Sequence, residues 1–461
     1  MFRKVSGALL LLLSVIILIW GMSISLSSPS PDDREEVVFW HFWSGPDGEV
    51  VDDVIRRFNQ SQDLYYVRGV SMPGNNFDMK LFLSVTGGDP PDLINQDDPI
   101  VADWAFRKAI FSMDEIAPLE EVEQMRKWLL PSARKLGEYD GRLYAVCNGL
   151  DVRALYFNRD IVEQALRREA PDELESLEQL DEIARLCTRY SDGELTQIGY
   201  LPDPRRLWVW GSIFGGDFYD ESTGRVTPDD ASIEKALRWM QSYRERLGAN
   251  AVATYRQNDQ SLPNKMFPLL AERYAIVLDG QWRVRDIEAA QQATNKMRGT
   301  VTRYGVWPLP SVSPNGKTGW VNGNVFLVPR HAKNSKGAWE FIKFWTGIDG
   351  NEAEAARTCA AGGWIPVSNA VAESPEFQSY LQSHPLFARF VELAATDQET
   401  TPLVPGANRY YREVNNLVQR MMYNDDSVDL SKELTALAED MQQHIDRIRY
   451  RSLYKEGPER D

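Results

Sequence analysis

Five tryptophans lie next to glycine or between turn residues, where an indole ring can meet a ligand. They are Trp43, Trp210, Trp282, Trp320 and Trp364. An indole offers a flat apolar face and one polar edge, and this combination suits stacking on a sugar ring. For each of these tryptophans, packing within the core is the alternative interpretation. For the set, we expect at least one to stack on a ligand.

Polar residues that can bind hydroxyl groups lie in similar places. Asp97 and Asp98 follow a predicted strand, and Asn148, Asn322 and Asn324 lie beside turns or strands. A carboxylate accepts hydrogen bonds only, whereas an amide both donates and accepts them. These side chains are therefore candidate ligand contacts, with the alternative that each amide is simply a turn residue.

Catalytic signatures are missing from the sequence. It contains no GxSxG turn, no P-loop, no GxGxxG after a strand and no HExxH. The four histidines have no metal-ligand spacing, and the three cysteines form neither a CxxC pair nor a disulfide framework. We expect no catalytic residue, no metal and no cofactor, and we expect the cysteines to be buried as small apolar side chains.

The composition limits the class of protein further. The chain has 461 residues, 43% of them hydrophobic, which is enough for two or three domains. Its 51 basic residues against 67 acidic ones give a net charge of −16. Because such a chain is repelled by a phosphate backbone, we expect no nucleic-acid partner.

The amino terminus predicts export. Arg3 and Lys4 precede an uncharged apolar stretch at residues 5–30, followed by a Ser/Pro-rich linker. The apolar stretch is long enough to span a bilayer, which needs roughly 20 residues. Residues 1–34 are thus either a cleaved signal peptide or a retained signal anchor plus linker, and the sequence favours neither.

Strand and helix patterns alternate after the linker. Residues 37–42 and 65–70 are rich in aromatic and β-branched residues, and apolar residues recur at helical spacing between them. A Gly/Pro breaker at residues 87–91 precedes a third short strand. This order predicts an α/β fold with a largely parallel sheet. Because ligands bind beyond the carboxyl ends of such strands, we expect the site at the loops that contain Trp43 and Asp97.

Six motifs occur in a characteristic order after the export signal. They are VFWHFWSG at 38–45, GGDPPDL at 87–93, YDGRLYAV at 139–146, ALYFNRD at 154–160, AIVLDGQW at 275–282 and GWVNGN at 319–324. This order resembles the extracellular solute-binding proteins of sugar ABC transporters, the group that includes the maltose-binding protein. The resemblance covers about residues 37–366.

The resemblance implies two α/β lobes joined by a hinge, with a ligand cleft between them. Lobe one would contain residues 37–148 and 304–346, and lobe two residues 149–303 and 347–461. The ligand contacts of the family, carried onto this sequence, are Trp43, Asp97, Asp151, Trp282, Trp320, Asn324 and Trp364. Asp97 and Asp151 would each accept two sugar hydroxyls, and the tryptophans would enclose the ring.

The resemblance also implies a function without catalysis. The protein would be a monomer at the periplasmic or extracellular face of the bacterial cytoplasmic membrane. There it would capture a sugar or oligosaccharide and deliver it to the permease subunits of an ABC importer. Alternatives are an exported carbohydrate hydrolase with two carboxylates, or a membrane-tethered sensor if the leader is retained. Tyr410 and Tyr411 also permit an iron-binding reading, although a helix face explains the pair.

Overall fold

The structure is a computed structural model that describes residues 33–72, 77–260, 267–298, 301–314, 316–396, 398–423 and 429–455. The predicted signal peptide or anchor, at residues 1–32 of the 1–34 segment, lies outside the described residues. Within the described part of the chain, no helix is both long enough and apolar enough to cross a membrane.

Fourteen strands are present among the described residues. They are β1 (Glu35–His41), β2 (Tyr65–Ser71), β3 (Leu93–Asp97), β4 (Glu138–Tyr139), β5 (Arg142–Leu143), β6 (Ala145–Asn158), β7 (Arg189–Ser191), β8 (Glu194–Gln197), β9 (Tyr219–Asp220), β10 (Arg225–Val226), β11 (Ile276–Gly280), β12 (Tyr304–Trp307), β13 (Gly319–Leu327) and β14 (Gln398–Glu399).

The α-helices of the described residues fill most of the remaining chain. They span Pro46–Ser61, Phe77–Gly87, Val101–Phe106, Leu119–Trp128, Pro131–Lys135, Arg159–Leu166, Leu177–Cys187, Leu207–Ile213, Ala231–Leu247, Ala249–Gln260, Arg283–Arg298, Ser335–Thr346, Glu352–Gly362, Asn369–Ala372, Pro375–Ser383, Pro385–Ala394, Ala407–Tyr423 and Leu430–Lys455.

One sheet of eight strands connects the whole molecule. Its order is β11-β6-β13-β3-β1-β2, with β12 also beside β6 and β14 beside β13. β1 pairs in parallel with β2 and β3, as the alternation of strand and helix predicts. The expectation of a largely parallel sheet is wrong beyond these three strands, because β13 runs antiparallel to both β3 and β6. β13 pairs with strands from distant segments of the chain, and local sequence patterns do not encode such pairing.

Strand β6 crosses between two hydrophobic clusters. Its first half pairs with β13, and its second half pairs with β11 and β12. The first cluster is built mainly from residues 37–154 and 321–394, and the second from residues 155–278, 307–320 and 404–445. A single strand shared by two cores is the geometry of a hinge.

The helices of residues 352–394 pack differently from the expectation. We expected residues 347–461 in lobe two, but the helices Glu352–Gly362, Pro375–Ser383 and Pro385–Ala394 contribute to the first cluster. Trp364, which follows the first of them, stacks on Trp345 with ring centroids 5.6 Å apart. After these helices the chain returns to the second cluster, to which the helix Ala407–Tyr423 contributes.

Candidate ligand-binding site

The centre of the crossing strand carries a polar cluster held by one amide. Gln281 follows β11, and its Nε2 donates to Asp151 Oδ1 at 2.8 Å and to the Leu150 carbonyl at 3.1 Å. The backbone N–H of Val152 donates back to Gln281 Oε1 at 3.1 Å. This arrangement fixes the Asp151 carboxylate at the junction of the two cores. Burial raises the pKa of Asp151, while the nearby Arg153 charge acts in the opposite direction.

Arg153 and Trp282 lie next to this carboxylate. The Arg153 guanidinium carbon lies 4.6 Å from the centre of a Trp282 ring, a cation–π contact. Arg153 is only 9% exposed, yet its Nε and Nη1 atoms have no hydrogen-bond partner among the described residues. Buried donors without a partner are rare in proteins, and each needs an explanation such as a bound water, an ion or a ligand.

The loop after β3 adds a second pair of polar side chains. Asn324 Nδ2 donates to Asp97 Oδ1 at 2.7 Å across neighbouring strands. Asp98 is fully buried and accepts from the Gly323 N–H at 3.3 Å. Burial and the adjacent Asp97 charge raise the pKa of Asp98 to about 7. Asn322 contacts Asp98 through a side-chain hydrogen bond and is the register partner of Asp151, so the β3 loop and the crossing strand belong to one polar region.

Residues that the sequence analysis missed complete this region. Arg206 Nη2 lies 3.3 Å from Asp279 Oδ1, and the Arg206 charge contributes to the lowered pKa of Arg153. Trp208 stacks on Tyr411 at a centroid distance of 5.2 Å and an interplanar angle of 17°. A signal existed in the run from Pro204 to Trp208, which places two arginines beside a tryptophan after a turn. We name the set Asp151, Arg153, Arg206, Trp208, Asp279, Gln281, Trp282 and Tyr411 the crossing-strand site.

Several predicted tryptophans lie within the cores instead. Trp43 stacks on Trp345 at 5.9 Å and meets Trp364 at 5.2 Å, and Trp43 and Trp364 are 6% and 8% exposed. Trp210 is fully buried within the helix Leu207–Ile213 rather than in a loop, 4.5 Å from Trp239. Glycine neighbours therefore did not keep these rings at the surface, because each found an aromatic partner from a distant segment.

Trp320 connects the crossing-strand site to a large cleft. It lies 5.8 Å from Trp208 and lines a cleft of about 1110 Å³. The other walls come from residues 135–141 of the first core, residues 212–222 of the second and residues 399–405. Trp320 is the only one of the eight predicted ligand-binding residues among those that line it.

Within the described residues, no three His, Cys, Asp or Glu side chains form a set that could hold a metal ion. Cys147, Cys187 and Cys359 are buried and free, as predicted. Burial raises the pKa of Cys187 and of Cys359 to about 12, so both stay protonated thiols.

Two cores that share a crossing strand, with a polar and aromatic cluster at the junction, define a two-lobed ligand-binding protein. The chain matches the bacterial extracellular solute-binding proteins over residues 53–385 and belongs to this family. The resemblance seen in the sequence is thus confirmed, and so is the two-lobed α/β fold.

Individual relatives agree with this assignment. The chain is 24% identical over 344 residues to the maltotriose-binding protein of Pyrococcus abyssi, a match over 72% of this chain and 63% of that protein. The match therefore spans less than two thirds of that relative.

Solved structures share the fold at low sequence identity. The GacH receptor of Streptomyces glaucescens aligns with a TM-score of 0.70 at 19% identity, over 90% of this chain and 99% of that one. A substrate-binding protein of Listeria monocytogenes in complex with cycloalternan aligns with a TM-score of 0.72 at 16% identity, over 90% and 100%. The sugar-binding protein MalE of Xanthomonas citri gives a TM-score of 0.69 at 17% identity, over 92% and 100%.

Proposed function

We propose that this protein is the receptor of a sugar ABC importer, which captures a sugar or oligosaccharide between its lobes and delivers it to the permease. The single observation that carries the proposal is the crossing-strand site, where unpartnered buried donors lie beside aromatic rings. Hydroxyl groups satisfy such donors, and sugar rings stack on such faces. The maltotriose-binding relative supports a carbohydrate ligand.

Within this proposal, Asp97, Asp151, Trp282 and Asn324 are the predicted residues that keep a place in the ligand-binding region. Trp320 is 4% exposed, so only the small part of it that lines the cleft would contact a ligand extending there. For Trp43, Trp210 and Trp364, burial supports the alternative role as packing residues.

Capture would proceed by closure of the lobes around β6. Closure is favoured only to the extent that the ligand contacts both lobes, and the permease would read the closed population. The hydrogen bond from the Gly406 N–H to Asp103 Oδ1, 2.5 Å long, is one contact between the cores that supports such a closed arrangement. The lobes would then be residues 37–148 and 321–394 against residues 149–320 and 395–461, with the protein acting as a monomer.

A binding role without catalysis is part of the proposal. A hydrolase would use two carboxylates about 5–10 Å apart, one of them free to donate a proton. Asp151 is instead held by Gln281 and Asp97 by Asn324, and Asp98, the carboxyl whose pKa is raised to about 7, is fully buried against the Gly323 N–H. The location at the outer face of the cytoplasmic membrane, anchored or released, belongs to the same proposal.

The test is a binding screen of the full chain, kept in a non-glycosidic detergent so that no sugar headgroup competes. Isothermal titration with mono- and oligosaccharides should give at least one sugar that binds and is recovered intact by chromatography. Trp282→Ala should weaken this binding by roughly 30-fold, whereas Trp210→Phe should preserve it. A sugar recovered cleaved would replace the receptor with an enzyme, and no binding across neutral and acidic sugars would overturn the proposal.

A further inference from the structure

Arg153 is a buried cation without a hydrogen-bonded counter-charge. Its side chain lies over Trp282, and no carboxylate of the described residues lies within the 4.0 Å ion-pair distance of its guanidinium nitrogens. The Asp151 carboxylate nearby is hydrogen-bonded by Gln281 rather than by Arg153. Because a buried charge without a partner costs several kcal/mol, such an arrangement is retained where something else supplies the opposite charge.

A second arginine at the site is only partly neutralised. Arg206 meets Asp279 at 3.3 Å, but Arg283 Nε binds the other oxygen of the same carboxylate at 2.9 Å. One carboxylate thus serves two guanidinium groups, and Arg206 Nε has no partner among the described residues. Burial and then the charge of Arg206 lower the pKa of Arg153, as expected for two cations that face the same space.

The unpartnered atoms of the crossing-strand site are all donors. They are Nε and Nη1 of Arg153, Nε of Arg206 and Nε1 of Trp208. Guanidinium and indole groups donate hydrogen bonds and accept none, so a neutral hydroxyl meets only part of their demand. A carboxylate presents two acceptor oxygens in the geometry that a guanidinium fork fits, and it supplies the missing negative charge.

We propose that the ligand is an acidic oligosaccharide bearing uronate carboxylates, with Arg153 and Arg206 as the residues that determine this specificity. The inference rests on the proposed function, since it names the chemical class of sugar that the same site takes. One uronate carboxylate binds the Arg153 fork, and the sugar ring lies against the partly exposed ring of Trp282, while Trp208 is 1% exposed and supports Tyr411 from within the core. Three guanidinium groups, of Arg153, Arg206 and Arg283, face two carboxylates, of Asp151 and Asp279, so the site itself carries one positive charge more than its negative charges.

The experiment compares each acid with a ligand that differs in charge alone. Galacturonate, mannuronate and glucuronate oligomers of two to four units are titrated into the full chain beside their methyl esters and the corresponding neutral sugars. We expect the best acid to bind at least about tenfold more tightly than its ester, which corresponds to about 1.4 kcal/mol. Its affinity should fall as salt is raised, while any neutral sugar should be insensitive to salt.

Two variants of Arg153 and one matched control locate the effect. Arg153→Met keeps the apolar stem without the charge. In this variant the dissociation constants of acid and ester should differ by no more than about twofold, which is about one third of the free energy of a tenfold change. Arg153→Lys keeps the charge without the fork and should restore part of the preference. Arg205→Met is the control, because Arg205 is the chain neighbour of Arg206, is 66% exposed and pairs with Asp203. It should leave the preference unchanged.

The outcomes separate this inference from the proposed function. Equal or tighter binding of esters or neutral sugars by the unaltered chain overturns the uronate inference and leaves the sugar receptor in place. Absence of binding by every acid, ester and neutral sugar overturns both. If Arg153→Met does not fold, as circular dichroism would reveal, the ratio of acid to ester affinity in the unaltered chain decides alone.

Discussion

Trp364 and Trp282 should respond to alanine substitution in opposite ways. Both were predicted as ligand-stacking residues, yet Trp364 is 8% exposed and lies between Trp43 and Trp345 at 5.2 and 5.6 Å. Removing a buried tryptophan costs about 3–5 kcal/mol through lost burial and the cavity left behind. Trp364→Ala should therefore lower the free energy of unfolding by about 4 kcal/mol, roughly a thousandfold in the unfolding constant.

Trp282 is only partly buried, and its ring packs over Gly280 and meets the Arg153 guanidinium at 4.6 Å. Losing this contact costs about 1–2 kcal/mol of stability. If Trp282 stacks on the ligand, its truncation should also weaken binding by roughly 30-fold, the effect of a central aromatic contact. Trp364→Ala should thus have a large effect on stability, whereas Trp282→Ala should have a large effect on affinity.

The assay combines urea unfolding, followed by far-UV circular dichroism, with titration of whichever sugar the screen identifies. Circular dichroism is preferred because each variant removes a fluorophore. The reasoning is refuted if Trp364→Ala unfolds at the same urea concentration as the unaltered chain but loses the ligand. In that case Trp364 reaches the ligand, and the aromatic stack with Trp43 contributes little to the core.

Three further predictions concern the polar region near the hinge. Because Asp98 has a raised pKa of about 7, the folded state retains a proton that the unfolded chain releases, so stability should fall as pH rises from about 4 to 7. Asp98→Asn should remove this part of the pH dependence in urea titrations. Gly323→Ala should destabilise the sheet, because its methyl carbon would lie 2.6 Å from the Gly149 carbonyl oxygen; a normal thermal midpoint would contradict this. Asp103→Ala removes the acceptor of the Gly406 N–H and should cost about 2 kcal/mol of stability, with Asp103→Asn costing less.

The sequence alone predicted the local elements and the family well. Residues 37–42, 65–70 and 92–95 do form strands, observed as Glu35–His41, Tyr65–Ser71 and Leu93–Asp97. These predictions hold because alternation and helical spacing are local properties of the chain, read over a few residues. The order of the motifs indicated the family for a related reason, because each motif is a short segment at a strand end or a turn.

Part of the candidate site was also accessible from the sequence. The family resemblance assigned Asp97, Asp151, Trp282 and Asn324 to the ligand, and each lies in or directly after a strand of the large sheet, while their contact with a ligand stays a prediction. The prediction of a largely parallel sheet failed at β13. This strand lies more than 200 residues from β3 in the chain, yet pairs with it in the antiparallel direction.

Only the tertiary structure decided which polar and aromatic side chains meet. Nothing in the neighbourhood of Arg153 or Arg206 marks them as partners, because the two guanidinium groups are brought together by a strand and a helix far apart in the chain. The same applies to Trp43 and Trp364, which look alike in sequence whether the ring meets a ligand or another indole. Local sequence specifies that a side chain can stack or donate, and long-range packing specifies what it stacks on and which donors are left for a ligand.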